Sequence, residues 1–380
     1  MILDYETLKL VWWLLIGVLL IGFVITDGFD MGAAVLLPLL GHSDEQRRGI
    51  INAVGPQWDG NQVWFIMVGG ATVAAWPAVY GALSSGIYIT LVLVLFALFS
   101  RPFAFGYRNR IRQPQWRYRW DWALFAGGAF PALVFGLAFG NLLLGLPFQY
   151  DDFLRPSYSG SFWDLLNPFA LLCGVVSLSM LAMHGAAWLQ LRADEPIESR
   201  AARAVRVAAV VLIVALAVAG LWVAYGIDGY RVVSIKDIAG APDPTAKTVV
   251  AAAGAWLDNY ERYPWMILAP AAAFAGAGLT LLLSALRRPG QAFAASALTM
   301  TGVILTAGFS MFPFILPSSI QPGSGLTIWD AASSRLVLTI MFWAAAVFVP
   351  LILIYTLWAY RALWGKAATQ PVQDNSQSDT

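Results

Sequence analysis

Apolar residues dominate long stretches of this chain, and short polar breaks separate them. Each stretch is near or above the roughly 20 residues that cross a bilayer as a helix, which predicts about nine membrane helices. The first is expected over about residues 8–40 and ends at Gly41-His42-Ser43-Asp44. Ser43-Asp44-Glu45-Gln46 fits a capping box, so the second starts near Asp44 and runs to about Ala74. Ala75-Trp76-Pro77 opens the third, which is expected to end before Arg101-Pro102. The fourth covers about 120–144, with a kink expected at Pro131. The fifth begins at the Asn167-Pro168 pair and runs to about Gln190, and the sixth covers about 204–225. The seventh, eighth and ninth are expected over about 264–286, 290–312 and 329–364. Residues 226–263 form the longest loop. Residues 1–365 thus read as a single polytopic membrane domain of an all-α integral membrane protein, and 366–380 as a polar, disordered tail. The first apolar run ends in Thr26-Asp27-Gly28-Phe29-Asp30 and lacks a small-residue cleavage site, so it is expected to be a retained span.

Orientation follows from the basic residues. Most of the 23 lysines and arginines fall at breaks that share one side of the membrane: Arg47, Arg48, the arginines of 101–119, Arg192, Arg200, Arg203, Arg206, Arg287, Arg288, Arg361 and Lys366. That bias predicts an outside N-terminus and an inside C-terminus. Tryptophans are expected at the span ends, Trp12, Trp13, Trp163, Trp256 and Trp329 outside, Trp116, Trp120, Trp358 and Trp364 inside. The basic, aromatic stretch 101–119 reads as an inner loop at headgroup level. Only 12% of residues are charged, about half the share usual in a soluble chain. A net charge of +1 points to no nucleic-acid partner. The single cysteine, Cys173, forms no intrachain disulfide and reads as a small apolar packing residue.

Two polar knots interrupt the apolar pattern: Thr26-Asp27-Gly28-Phe29-Asp30 and Gln57-Trp58-Asp59-Gly60-Asn61-Gln62-Val63-Trp64. A charge at the centre of a membrane helix costs roughly 2.5–3.5 kcal/mol, so such groups face protein or a hydrated path. Asp27 and Asp30 share one helix face, as do Asp59 and Gln62. If the first two helices are antiparallel about Asp44–Glu45, residues whose numbers sum to about 89 are level. Asp30 then falls opposite Asp59 and Asp27 opposite Gln62, roughly 20 Å from the turn. The residues support two readings equally: a proton path, or buried aspartates that hold the bundle together. A metal site is disfavoured because no histidine accompanies the carboxylates. The two histidines, His42 and His184, supply no set of facing haem-ligand pairs. His42 is expected to be exposed and His184 to be a hydrogen-bonded packing residue. Asp330, three residues after Thr327, reads as the acidic end of a capping box, and Asp121 as paired or solvated.

Across the chain, in order, the two knots are joined by Trp12-Trp13-Leu14-Leu15, Ala75-Trp76-Pro77, Arg101-Pro102, Phe139-Gly140-Asn141-Leu142-Leu143 and Tyr225-Gly226-Ile227-Asp228-Gly229-Tyr230. Thr306-Ala307-Gly308, Met311-Phe312-Pro313-Phe314, Pro317-Ser318-Ser319 and Trp329-Asp330-Ala331-Ala332-Ser333-Ser334 follow. Together these stretches resemble subunit II of the cytochrome bd ubiquinol oxidases. The resemblance implies about nine transmembrane helices, arranged as two four-helix bundles plus one peripheral helix. It implies a non-haem subunit of a quinol:oxygen oxidoreductase in the bacterial cytoplasmic (inner) membrane, which generates proton motive force. The complex would hold haems b and d in a homologous, haem-bearing subunit I, with ubiquinol or menaquinol as substrate. Subunit II would support subunit I and line a cytoplasmic proton route, with the family's motif aspartate at Asp59. Asp30, Asp27 and Gln62 are the further expected members of that path. Some family members hold a structural quinone in this subunit; small accessory subunits and membrane lipid are further partners. The alternative is a proton-coupled secondary transporter, which predicts inverted repeats, and no second half repeats the Asp27–Asp59 pattern. A third reading is an assembly subunit without a proton role.

Overall fold

The structure is a computed structural model that describes residues 3–151 and 153–362. Eleven α-helices appear in chain order: α1 (Tyr5–Leu40), α2 (Asp44–Ala75), α3 (Pro77–Gly86), α4 (Tyr88–Tyr107), α5 (Pro114–Leu144), α6 (Pro168–Arg192), α7 (Ile197–Tyr225), α8 (Asp258–Arg262), α9 (Leu268–Ala285), α10 (Pro289–Met311) and α11 (Arg335–Ala362). Eight helical segments are long and apolar enough to span a membrane; the bent pair α2–α3 brings the number to nine. Local chemistry fixes several starts. Ser43 accepts a hydrogen bond from the Gln46 amide at α2 (3.2 Å), and Asn167 accepts one from the Ala170 amide at α6 (2.8 Å) ahead of Pro168.

One bundle comprises α1, α2, α4 and α5; the other comprises α6, α7, α9 and α10. Helices α1 and α5 both pack on α6 and join the two. Helix α11 packs mainly on α1 and α2, reaches Trp188 of α6 through Tyr360, and leaves nearly all its apolar surface outward, the peripheral position expected. Glycines set the closest approaches. A Cβ on Gly32 would collide with the Leu181 carbonyl, and one on Gly185 would collide with the backbone at Gly32–Ala33. Helices α1 and α6 therefore meet backbone to backbone.

Three two-stranded antiparallel sheets cap one end: β1 (Phe148–Tyr150) with β2 (Pro156–Tyr158), β3 (Asp228–Ile235) with β4 (Lys247–Ala253), and β5 (Phe314–Leu316) with β6 (Leu326–Thr327). Buried ammonium groups lock this cap. The Lys9 Nζ donates to the carbonyls of Ile238, Gly240 and Trp329 at 3.0, 3.1 and 2.8 Å. Lys247 pairs with Asp330 at 2.9 Å, with side chains 1% and 5% exposed. Burial raises the Asp330 carboxyl above the ordinary carboxylate range even with that ammonium beside it.

The structure departs from the expected pattern at several elements. The third predicted helix is broken at Ile87, which separates α3 from α4, while the 112° bend between α2 and α3 falls at the expected boundary. Helix α4 runs through Arg101-Pro102 to Tyr107, and α5 starts at Pro114, so the supposed 101–119 loop shrinks to residues 108–113. Asp330 does bond the Thr327 amide (2.8 Å) and hydroxyl (2.7 Å), but no helix starts there; α11 begins at Arg335, because Asp330 is engaged in the cap. Trp12 and Trp256 are not interfacial anchors. They are buried, and their indole N–H groups donate to the carbonyls of Leu338 and Leu143. The 366–380 tail, Trp364 and Lys366 lie outside the described residues.

Candidate functional site

The first knot sits inside the α1 interface, with Asp27 and Asp30 both buried. Asp27 is chelated by Arg101, whose Nη2 and Nη1 donate to its two oxygens at 2.6 and 3.0 Å. The arginine is only 1% exposed, so a residue expected in a loop is part of the membrane interior. Helix α4 continues past Pro102 for five residues to Tyr107.

Asp30 belongs to a second chain of contacts. Asn61 of α2 donates from Nδ2 to Asp30 Oδ2 at 2.8 Å, and Tyr360 of α11 donates from its hydroxyl to Asn61 Oδ1 at 2.9 Å. Three helices thus share one line of polar atoms. Asp30 Oδ1 and Gln57 Oε1 are buried without a protein donor, and the Trp64 indole N–H is buried without an acceptor. The layer therefore keeps unused hydrogen-bonding capacity in its interior.

The α1–α2 register is two residues from the one expected: Asp30 meets Asn61, not Asp59, and Asp27 meets Arg101, not Gln62. Two residues along a helix shift depth by about 3 Å but turn the side chain by about 200°. Asp59 consequently lies close in depth to Asp30 while it points out of this chain, on an exposed strip with Pro56, Gly60 and Val63. Among the described residues Asp59 has no ion pair or side-chain hydrogen bond. Gln62 is half-buried. The sequence reading placed Gln57 and Asn61 in the second knot without assigning them to the path, and it missed Arg101 and Tyr360 as members of the layer. An arginine flanked by aromatic residues was the available signal for Arg101; nothing adjacent to Tyr360 announces its role.

An aromatic wall backs this layer. Phe29 stacks on Trp188 at 4.3 Å, His184 stacks on Phe293 at 4.5 Å, and Tyr360 stands edge-on to Phe29 and Trp188. His184 is fully buried. Its Nε2 donates to the Ile25 carbonyl at 3.0 Å, which leaves Nδ1 in contact with the Ser296 hydroxyl at 2.6 Å. Both ring nitrogens of His184 are taken by protein, and His42 is exposed on the break before α2. Among the described residues no group of three or more His, Cys, Asp or Glu could hold a metal ion. Cys173 is half-buried against the core.

The sequence profile of the family described as "Cytochrome bd terminal oxidase subunit II" matches residues 8–363. The chain is 49% identical over 376 residues to cytochrome bd-I ubiquinol oxidase subunit 2 of Escherichia coli K12, covering 99% of each chain. It is 50% identical over 376 residues to a probable cytochrome oxidase subunit 2 of Haemophilus influenzae, again with 99% of each covered. It is 31% identical over 357 residues to cytochrome bd ubiquinol oxidase subunit 2 of Bacillus subtilis, covering 92% of this chain and 94% of that one. A chain in the structure of bd oxidase from Geobacillus thermodenitrificans has the same fold: the TM-score is 0.69 at 16% identity, over 95% of this chain and 100% of that one.

Proposed function

Because the chain belongs to the subunit II family of the cytochrome bd terminal oxidases, we propose that its polar layer delivers protons to a haem-bearing subunit I through Asp59. Family membership makes the chain a subunit of a membrane quinol:oxygen oxidoreductase whose complex contains haem, and it sets aside the transporter reading. In this reading haems b and d are ligated by subunit I, a quinol such as ubiquinol or menaquinol is oxidised there, and this chain orients with its N-terminus outside. His184 has both ring nitrogens engaged by protein and His42 stands alone in an exposed turn, which supports that division of labour. In the complex, haem supplies the oxygen-reducing chemistry, and that chemistry consumes protons.

One observation carries the proposal: a carboxylate stands exposed at mid-helix on α2, level with the buried Asp30–Asn61–Tyr360 chain. A bare carboxylate facing lipid at that depth is costly, so its face needs a polar cover from a partner subunit. A carboxyl group there accepts a proton from the arginine-rich side and releases it across the interface. The amides of Gln57, Asn61 and Gln62 accept and donate hydrogen bonds but do not titrate. Behind Asp59, the unused acceptors Asp30 Oδ1 and Gln57 Oε1 lend the layer the polarity that a hydrated path needs.

Asp59→Asn keeps the shape and removes the titration. The expected result is an assembled oxidase with normal haem content whose quinol-dependent oxygen consumption is slower by on the order of 10²-fold, the scale of a lost proton-transfer group. Full turnover with intact haems would remove the relay and leave the assembly role. Loss of the haems would point to packing at the subunit interface.

A further inference from the structure

Where α2 and α5 begin, four guanidinium groups converge on two carboxylates. Arg108 donates to Asp121 at 2.5 Å and to Asp44 at 2.8 Å. Arg47 donates to Asp121 at 3.1 Å, and Arg48 and Arg117 donate to Asp44 at 3.1 and 2.7 Å. Four cations on two anions leave a surplus of two positive charges within the network. The donors are not exhausted either: the Nε–H groups of Arg48 and Arg117 are buried with no acceptor. Beside the network opens a cavity of about 650 Å³ lined by both carboxylates, Asp44 and Asp121, and by Arg47, Arg117, Tyr118 and Arg119, among others. Arg119 is exposed there and makes no ion pair among the described residues.

The neighbourhood fixes the depth. Tyr107 stacks on Trp120, Trp116 stands edge-on to Trp120, and Arg47 lies over the Tyr118 ring at 5.8 Å. Tyrosine and tryptophan gather where hydrocarbon gives way to headgroups. A cavity at that level, with Tyr118 in its lining and with arginines outnumbering its two carboxylates, matches a phosphate carried by the membrane itself. Guanidinium forks bind phosphate oxygens in pairs, which a lone ammonium does not.

The geometry points to a binding site for the phosphate of an anionic phospholipid headgroup, held by Arg117 and Arg119 at the mouth of this cavity. It stands independently of the proton route. Free phosphate shares the recognition chemistry, so the test separates the two sources.

The delipidated oxidase complex is titrated with phosphatidylglycerol, with phosphatidylcholine and with inorganic phosphate, and bound lipid is read by native mass spectrometry. Haem content reports assembly. Phosphatidylglycerol is expected to bind the parent complex in preference to phosphatidylcholine. Each of Arg119→Gln and Arg117→Gln should weaken it by about fivefold, the factor for roughly 1 kcal/mol per basic side chain near an anionic surface. Arg119→Gln disturbs no ion pair among the described residues, so it keeps the test open if Arg117→Gln fails to assemble. Equal retention by the parent and the Arg119→Gln complex overturns the site, as does equal binding of the two lipids. Displacement of phosphatidylglycerol by millimolar inorganic phosphate overturns the lipid as occupant.

Discussion

A guanidinium that chelates a carboxylate inside a membrane bundle is stable only while both partners are present. Arg101 and Asp27 are each almost fully enclosed, and the pair has two hydrogen bonds in fork geometry. Removing one member leaves the other charge without compensation, at about 3–5 kcal/mol, whereas replacing both by apolar groups of similar volume is often close to neutral. Arg101→Met should therefore lower the unfolding midpoint and the yield of the assembled complex, and the double change Arg101→Met with Asp27→Leu should recover most of that loss. Thermal scans of the detergent-solubilised oxidase read both. A double variant as unstable as the single one would show that the pair does more than neutralise itself. The sequence revealed Asp27 because a carboxylate in an apolar run has no ordinary explanation. It hid Arg101, because an arginine followed by proline at the end of a hydrophobic stretch has one, a helix end at the headgroups. Tyr360 was hidden for the opposite reason: a tyrosine near the end of a span needs no partner to be unremarkable, and its bond to Asn61 joins positions 299 residues apart.

Helices were the most legible elements, since length and apolarity alone set most of their ranges, and the cap residues Ser43 and Asn167 marked two starts. The break at Ile87 and the three small sheets were not legible. Their strands are short and lack a long alternation of apolar and polar residues, and they are held by contacts distant in sequence, such as Lys9 to Ile238 and Lys247 to Asp330. Nor does the pattern say how closely two helices approach. That lies in Gly32 and Gly185, which put the backbones of α1 and α6 in contact. Gly185→Ala should drive the helices apart and cost about 1–3 kcal/mol, read as a lowered unfolding midpoint of the complex. Gly17→Ala, on the same α1 helix with nothing within 4 Å of its Cβ, should be neutral or stabilising by up to about 1 kcal/mol. Equal effects of the two substitutions would show that the α1–α6 crossing yields easily, contrary to the direct backbone contact.

At the scale of the whole molecule the two ends of the bundle differ in chemistry. One end carries the strand cap and its buried lysines; the other carries the arginine network around Asp44 and Asp121. Basic residues near span ends are held back from translocation, so the arginine-rich end should face the cytoplasm. The connectivity turns this into a testable parity. Arg110 lies in the turn between α4 and α5, and Asp243 lies between β3 and β4. Helices α5, α6 and α7 separate the two positions, an odd number of crossings, so they must lie on opposite sides. A phosphatase fusion, active only outside, should be silent at Arg110 and active at Asp243. A fluorescent-protein fusion, which matures inside, should give the reverse. Both positions reporting one side would break the count of spans between them. Opposite sides in the inverted sense would leave the fold intact but place the strand cap in the cytoplasm. Protons would then reach Asp59 through the cap and not past the arginine network. The fusions therefore test the direction of the proposed proton route as well as the orientation of the chain.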